Sequence, residues 1–401
     1  MSEKQPSNPY SIVGSIYTNY VFLSITIVVI MQFRDAIGLQ FNTDVVGIGY
    51  IASGLGIGKI IPLLVGGVLS DKFGRKPFII MGNLLYVVFY LGFLSTTNIH
   101  VAFALTVLVG VGNSFLDTGS MPALTENFPQ SAGTANVLVK AAVALGTFII
   151  PFIVAFVYMN DIWYGWAFIT FAAAFALNAA FVSTRTFPST KVVISAKAGA
   201  DSNYFIAKPK MSIEGIALIL LGFTSTATFM IVQQWMPTIA IEATGMPALE
   251  ANKLLSYYSL GSIIACFVIA TVVKKLIKPV YCILMFPILS CIVLGVFLID
   301  ITPTMCKIAS FAIGFTAAGG ALQLALVVMS QLFPTKKGFA VGSIYTLSGL
   351  SVIVGPLVIP SLAVHNASYA IVFNLGVTAL SVLFAAIVNV RYRKVIDMTK
   401  I

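Results

Sequence analysis

The sequence predicts an all-α integral membrane protein whose twelve transmembrane helices form two six-helix bundles. Three observations predict this fold. Hydrophobic residues make up 59% of the 401 residues and charged residues only 9%, with a mean hydropathy of +0.99; soluble domains carry about 25% charged residues. Apolar stretches of about 20 residues, the length that crosses a bilayer, recur along the chain. A set of residues in the first half also repeats 205 positions later.

The apolar stretches divide the chain into successive membrane spans. Each stretch is long enough to cross the hydrocarbon core as a helix, since a helix rises about 1.5 Å per residue. The twelve predicted spans are approximately residues 12–34, 45–69, 78–97, 100–121, 134–157, 163–183, 213–236, 253–273, 280–299, 304–331, 339–362 and 366–390.

The basic residues predict the orientation of these spans. Alternate connections carry Lys4, Lys72, Arg75, Lys76, Arg185, Lys191, Lys197, Lys208, Lys210, Lys274, Lys275, Lys278, Lys336, Lys337, Arg391, Arg393, Lys394 and Lys400. The other connections carry acidic residues and, apart from Lys253 and Lys307 at helix ends, no basic ones. Because Lys and Arg accumulate in cytoplasmic loops, both termini are predicted to be cytoplasmic in the cell (inner) membrane. This asymmetry and attraction to anionic lipid account for the net charge of +10, with no role for nucleic acid.

An internal repeat divides the spans into two halves. Phe128, Pro129, Gly133, Ala135 and Pro151 recur at an offset of 205 residues. The second copies are Phe333, Pro334, Gly338, Ala340 and Pro356. We therefore expect a six-helix bundle over residues 1–183, a cytoplasmic linker over 184–212, and a second bundle with a short tail over 213–401.

The loop between the second and third spans carries a distinctive motif, GGVLSDKFGRKP, from Gly66 to Pro77. Its residues Gly67, Asp71, Gly74, Arg75 and Lys76 resemble the signature loop of the major facilitator superfamily of secondary transporters. Gly67 would allow a close helix approach, and Gly74 suits a turn that needs positive φ or a tight bend. The resemblance implies that Asp71 and Arg75 pair and gate the cytoplasmic side. The alternative is a charged reverse turn without a gating role.

Two weaker resemblances concern the cargo. Gly110, Gly112, Asp117, Thr118, Phe128, Pro129, Asn136, Gly146 and Pro151 follow an order similar to that of the fucose-permease-like sugar symporters. Gln233, Gln234, Trp235, Met236 and Pro237 resemble a helix ending of the organic-anion symporters. These resemblances imply a monomer that works by alternating access around a site near the bilayer midplane between the halves. The proton gradient would supply the energy, without a cofactor.

Ionisable residues within spans mark candidate binding sites, because a charge in the membrane costs at least about 2.5 to 3.5 kcal/mol. The first half has Arg34, Asp35, Lys59, Asp117 and Lys140. Three cations against two acids favour a small organic anion, such as a carboxylate, as substrate. Lys59 is the first candidate for its contact. Arg34 has either that role or a structural ion pair with Asp35, and Lys140 has either that role or a place near the cytoplasmic face.

Asp117 is the first candidate for proton coupling, with Asp35 as the second. A carboxylate inside a membrane helix can load and release a proton between two water accesses. The alternative is a structural ion pair between Asp117 and Lys140, in which loss of one partner would strand the other. Glu126 is expected to lie in the following loop, where water solvates it.

The second half offers polar rather than charged candidates. These substrate-binding candidates are Gln233, Gln234 and Trp235 of the seventh span, Tyr257 of the eighth and Gln323 of the tenth. No metal-binding motif is present, and the two histidines, His100 and His365, lie at predicted outer helix ends. The sequence thus predicts a transporter and not an enzyme. Proton-coupled uptake of a small organic anion leads; a sugar or polyol symporter and a drug or metabolite proton antiporter are the alternatives.

Overall fold

The described residues are predominantly α-helical, as the sequence predicts. The computed structural model describes residues 8–128, 132–187, 205–269, 277–333, 337–364 and 366–397. The chain separates into two compact units, Met1–Ala196 and Lys197–Ile401, a division that falls inside the predicted linker. Most of that linker, with Pro129 and Pro334 of the repeat, lies outside the described residues.

Unit 1 is a bundle of long helices with one short helix between the first two spans. Its helices are α1 (Pro9–Gln32), α2 (Arg34–Phe41), α3 (Val45–Phe73), α4 (Arg75–Leu94), α5 (Ile99–Asn127), α6 (Ala132–Met159) and α7 (Gly165–Ser183). Side chains define several starts. Asp44 accepts hydrogen bonds from the Val46 and Gly47 amides at the start of α3. The Asn98 side chain accepts hydrogen bonds from the first backbone amides of α5 in the same way.

Gly74 forms the junction between α3 and α4. Its φ of +88° lies in the region that side chains with a Cβ rarely adopt. The prediction of a positive φ at this glycine is confirmed. The sharp junction places Asp71, at the end of α3, beside Arg75 at the start of α4.

Unit 2 has the same helical character, and its described residues include two π-helical segments. It consists of a π-helical turn (Met211–Gly215), α8 (Ile216–Thr244), α9 (Ala248–Asn252), α10 (Leu254–Val268), α11 (Pro279–Ile299), α12 (Pro303–Ile313), a second π-helical segment (Gly314–Ala321), α13 (Leu322–Leu332), α14 (Lys337–Ala363) and α15 (Ser368–Val395). Leu218, Ile283, Met329 and Val388 belong to its buried apolar core.

The helices account for the predicted spans. Within the described residues, ten helices are long and apolar enough to cross a membrane, and Val45–Ile60 is a shorter apolar helix. Each predicted span coincides with a helix, although part of 253–273 lies outside the described residues. The prediction of an all-α multi-pass membrane protein is confirmed. Two boundaries differ: α1 ends before Arg34, and α5 continues past residue 121 to Asn127.

Candidate functional site

Two membrane-embedded charges of unit 1 meet in one ion pair. Lys59 lies on α3 and Asp117 on α5, and the distance from the Lys59 Nζ to the Asp117 Oδ2 is 3.0 Å. The side chains remain 25% and 21% exposed. Each charge lowers the cost of placing the other within a membrane helix. Neither side chain is fully enclosed by the protein.

Tyr20 completes this cluster from a third helix. Its hydroxyl lies on α1 and donates a hydrogen bond of 2.9 Å to the Asp117 Oδ1. One carboxylate oxygen thus contacts an ammonium group and the other a phenol. We call Tyr20, Lys59 and Asp117 the charged triad. Hydrogen bonds to an ionised partner are stronger than neutral ones, so the triad joins α1, α3 and α5.

Small residues bring α3 and α5 close enough to form the triad. A Cβ added to Gly58 would lie 1.9 Å from the Val107 carbonyl oxygen, and one added to Gly110 would lie 2.2 Å from that of Leu55. The backbones therefore touch at these glycines. One turn along α5, the Ser114 hydroxyl donates to the Lys59 carbonyl oxygen at 2.7 Å. This contact fixes the height of Lys59 relative to Asp117.

Substitution of Gly110 by Ala is expected to destabilise the protein by about 1–3 kcal/mol, because the new methyl group would overlap α3. A lower midpoint in thermal unfolding of the purified protein measures the loss. Gly14→Ala on α1 is the control, since no atom lies within 4 Å of its added Cβ. Equal melting of the two variants would contradict the close contact of α3 with α5.

The other charged candidates of unit 1 lie elsewhere. Lys140 is a half-buried residue of α6. The ion-pair partner of Asp117 is Lys59, and not Lys140 as in the alternative drawn from the sequence. Arg34 and Asp35 begin the short helix α2 instead of ending the first span. Their ion pair measures 3.5 Å, and the Asp35 side chain is 72% exposed. That exposure makes Asp35 the weaker proton-coupling candidate.

The candidates of unit 2 are mostly buried. Gln233, Gln234 and Trp235 lie on α8 and are at most 9% exposed. Each glutamine amide can both donate and accept hydrogen bonds. Tyr257 of α10 is 40% exposed. Gln323 of α13 is partly buried.

A second charged cluster surrounds the signature loop. Arg75 is almost buried and contacts Asp71 at 2.5 Å and Glu126 at 2.9 Å. Its guanidinium also donates to the Ser70 hydroxyl, and Ser70 donates to the Thr118 carbonyl oxygen. We call Asp71, Arg75 and Glu126 the loop cluster. It joins the α3–α4 junction to the end of α5.

Two motif residues have simpler positions. Gly67 lies within α3. Lys76 donates to the Ser183 carbonyl oxygen at 2.6 Å and so binds the end of α7. A cation at a helix C-terminus interacts favourably with the free carbonyl groups there.

The expectation that Glu126 is a solvated loop residue is wrong. Glu126 lies on α5, and its side chain is only 5% exposed. The helix continues through Pro122 and ends at Asn127. The Glu126 Oε1 accepts two hydrogen bonds from Arg75, at 3.0 and 2.9 Å, which offset part of the cost of burying the charge.

The sequence also did not indicate an ion pair in unit 2. Glu214 is fully buried in the π-helical turn before α8, and its Oε1 lies 2.8 Å from the Arg391 Nη2 of α15. Glu214 falls at the start of the predicted span 213–236, and Arg391 is among the cations predicted to lie in connections. The pairing depends on the distance between α8 and α15, which are far apart in the sequence. The position of Glu214 directly before an apolar run was the available signal in the sequence.

Comparisons with known proteins identify the family of the chain. A family model described as Major Facilitator Superfamily matches residues 14–356. The inner membrane transport protein YdiN of Escherichia coli (strain K12) is 36% identical over 380 residues, which are 95% of this chain and 90% of that protein. The probable galactarate/D-glucarate transporter GudP of Bacillus subtilis (strain 168) is 32% identical over 133 residues, 31% of this chain and 28% of that protein.

A solved structure shares the fold. The crystal structure of a D-xylose-proton symporter superposes with a TM-score of 0.73 at 14% sequence identity, and the match covers 94% of this chain and 96% of that one. At this identity the likeness concerns the arrangement of helices alone. It gives no information on which residues bind a ligand.

Proposed function

Because this chain belongs to the Major Facilitator Superfamily, we propose that it is a secondary transporter that imports a small organic anion together with a proton by alternating access. The charged triad is the observation that carries this proposal. It places a cation, an acid and a phenol in contact within the membrane-spanning helices of one unit. The proton gradient is the energy source in this proposal.

The Lys59 ammonium group is the proposed contact for the anion. It is partly exposed, and its partner Asp117 is a carboxylate, the same chemical group as the proposed ligand. A substrate carboxylate would replace that of Asp117 at the ammonium group. The partial similarity to a probable galactarate/D-glucarate transporter supports an organic acid as cargo.

Proton coupling follows from competition for this ammonium group. With Lys59 bound to the substrate, an ionised Asp117 would be left without its cation in a membrane helix, which is costly. Protonation of Asp117 removes that cost. Binding of the anion and of the proton therefore favour each other, and this linkage is reciprocal.

Transport by the purified protein tests the proposal. We expect proteoliposomes to accumulate a radiolabelled small carboxylate when the outside is acidic, and to stop when a protonophore removes the gradient. A screen of hydroxy acids, sugars and cationic drugs by thermal shift selects the substrate, since binding stabilises the folded state. If a carboxylate binds but no proton gradient drives its uptake, proton symport is wrong.

Lys59→Gln is expected to weaken binding of the anion at least about tenfold, the effect of losing a charged hydrogen bond worth about 1.5–3 kcal/mol. Equilibrium binding of the carboxylate and of its uncharged amide analogue measures the effect. The amide should lose much less affinity. Lys59→Arg keeps the charge, and Lys59→Gln combined with Asp117→Asn controls for the stranded carboxylate. Equal losses for acid and amide would contradict charge recognition.

A sugar or polyol symporter is the second candidate. The buried Gln233 and Gln234 amides favour it, because amide groups recognise hydroxyl groups. The same thermal-shift screen separates the two candidates. Stabilisation by neutral sugars, with no effect of carboxylates, would select the sugar symporter.

We also propose that both termini face the cytoplasm. The basic residues of alternate connections support this orientation. On this orientation the loop cluster lies at the cytoplasmic side, where it would gate access to the site. Labelling of single cysteines placed before Pro9 and after Val395 in intact cells tests it, and labelling by an impermeant reagent would contradict it.

A further inference from the structure

A small cavity lies among the helices of unit 2. Its volume is about 10 Å³, and it is lined by Ser225, Thr228, Pro287, Ser290, Ala317, Ala321, Thr378 and Ser381. The five hydroxyl-bearing residues among these are at most 3% exposed. A cavity of this volume is close to the smallest that accommodates one water molecule.

The helices around the cavity include two irregular segments. Pro287 in α11 has no N–H to donate to the carbonyl group one turn earlier. Ala317 and Ala321 belong to the π-helical segment, where the helical hydrogen bonds are shifted from their usual partners. Both irregularities weaken the regular backbone bonding beside the cavity. Water is a common partner for such backbone groups.

One hydroxyl group at the cavity lacks a partner, and two others can accept a further hydrogen bond. The Ser225 Oγ is buried and has no hydrogen-bond partner within the described part of the chain. The Thr228 and Thr378 hydroxyl oxygens lie 2.9 Å apart, and each also lies within 3 Å of a carbonyl oxygen of its own helix. Each hydroxyl oxygen has two lone pairs, and the contact between the two threonines uses at most one of the four. Both oxygens together can therefore accept further hydrogen bonds.

We propose that this cavity binds one ordered water molecule. The water accepts a hydrogen bond from Ser225 and donates its two protons to neighbouring hydroxyl oxygens, including those of Thr228 and Thr378. Burial of a hydroxyl group without a partner is unfavourable, and one water removes this cost. A water molecule fits better than a cation, because every lining residue is uncharged.

The water connects α8 and α15 to the irregular parts of unit 2. Ser225 and Thr228 belong to α8, Thr378 and Ser381 to α15, and the π-helical segment lies opposite. A bridging water adds to the direct hydrogen bond that already joins α8 and α15 through Thr228 and Thr378. The site is independent of the charged triad, so its test does not depend on the proposed substrate.

A density map of the full-length protein at about 2 Å resolution or better tests the proposal. We expect a single peak within hydrogen-bonding distance of the Ser225 Oγ, and its loss in the Ser225→Ala variant. Absence of a peak in a well-ordered map of the unmodified protein would overturn the water site.

Thermal unfolding gives a second test. Ser348 of α14 is also buried without a hydrogen-bond partner among the described residues, but it does not line the cavity. We expect Ser225→Ala to lower the melting temperature by a few degrees, because the bound water loses a partner, whereas Ser348→Ala leaves it unchanged or higher. An equal increase in the melting temperature of both variants would overturn the proposal.

Salt composition separates water from a cation. The water site predicts the same melting temperature in sodium, potassium and choline chloride at equal concentration. An increase specific to sodium that Ser225→Ala abolishes would identify a cation site instead and overturn the water assignment.

Discussion

Asp117→Asn is expected to abolish proton-driven accumulation of the substrate while leaving substrate binding intact. Asparagine keeps the shape of the side chain but carries neither a charge nor a transferable proton. The variant lacks the carboxylate that lies 3.0 Å from the Lys59 ammonium group in the unmodified protein. The anion therefore binds without competition, with an affinity equal to or above that of the unmodified protein, and the pH dependence of binding disappears.

Two assays on the same proteoliposomes measure this result. Uptake against a gradient, driven by an acidic exterior, should fall to the background of empty liposomes. Exchange of labelled for unlabelled substrate should persist, because exchange requires no net movement of protons. Asn at residue 117 also retains the ability to accept from Tyr20, so the local packing should survive.

Asp35→Asn is the matched control for this experiment. The two aspartates belong to the same unit, but Asp35 lies on the short helix α2 with its side chain 72% exposed, against 21% for Asp117. We expect Asp35→Asn to transport at nearly the unmodified rate. If Asp35→Asn lost driven uptake and Asp117→Asn kept it, the proton would be carried by Asp35, and our proposal would be wrong.

The fold was predictable from the sequence because the membrane restricts the chain strongly. Each span needs about 20 apolar residues whose backbone groups bond internally, so it must be a helix. The positive φ of Gly74 was predictable for a similar reason, since the motif requires a sharp junction between two spans. These features depend on local sequence and on the solvent.

The partner of Asp117 was not predictable, because it depends on which helices pack. Lys59 and Lys140 are both single cations in neighbouring spans, and the sequence does not distinguish them. The choice rests on Gly58 and Gly110, which allow α3 and α5 to touch at the right height. The role of Tyr20 was also not predictable, since a tyrosine in an apolar span is ordinarily a core residue.

Glu126 shows how a boundary error becomes an error about a site. The predicted span ended at residue 121, before Pro122, and this placed Glu126 in a loop. In the structure α5 runs on to Asn127, and the carboxylate is buried against Arg75. A proline inside a membrane helix is tolerated where neighbouring groups compensate, so it was a poor marker for the end of this span.

The same pair of helices carries both charged clusters. Asp117 and Glu126 lie on α5, nine residues and so about 13 Å apart along the axis, and Lys59 and Asp71 lie on α3. Between the clusters, Ser70 donates to the Thr118 carbonyl oxygen. A shift of α3 relative to α5 would therefore alter both clusters together. The charged triad and the loop cluster thus share one structural support.

Arg75→Ala is expected to destabilise the protein by about 3–5 kcal/mol, the usual loss when one partner of a buried ion pair is removed. Arg75 contacts Asp71 and Glu126, but these acids differ in burial: the Asp71 side chain is 68% exposed and that of Glu126 only 5%. Loss of Arg75 strands the buried carboxylate. The melting temperature of the purified protein in one detergent, and its recovery from the membrane, measure the effect.

Two further variants separate burial of charge from loss of contact. Asp71→Asn should change stability by less than about 1 kcal/mol, because an exposed ion pair contributes little. Arg75→Ala combined with Glu126→Gln should recover much of the stability lost in Arg75→Ala alone, since no ionised carboxylate remains buried. If the double variant melts as low as Arg75→Ala, the loss arises from the missing packing and hydrogen bonds of Arg75, and the ion pair with Glu126 does not hold α4 to α5.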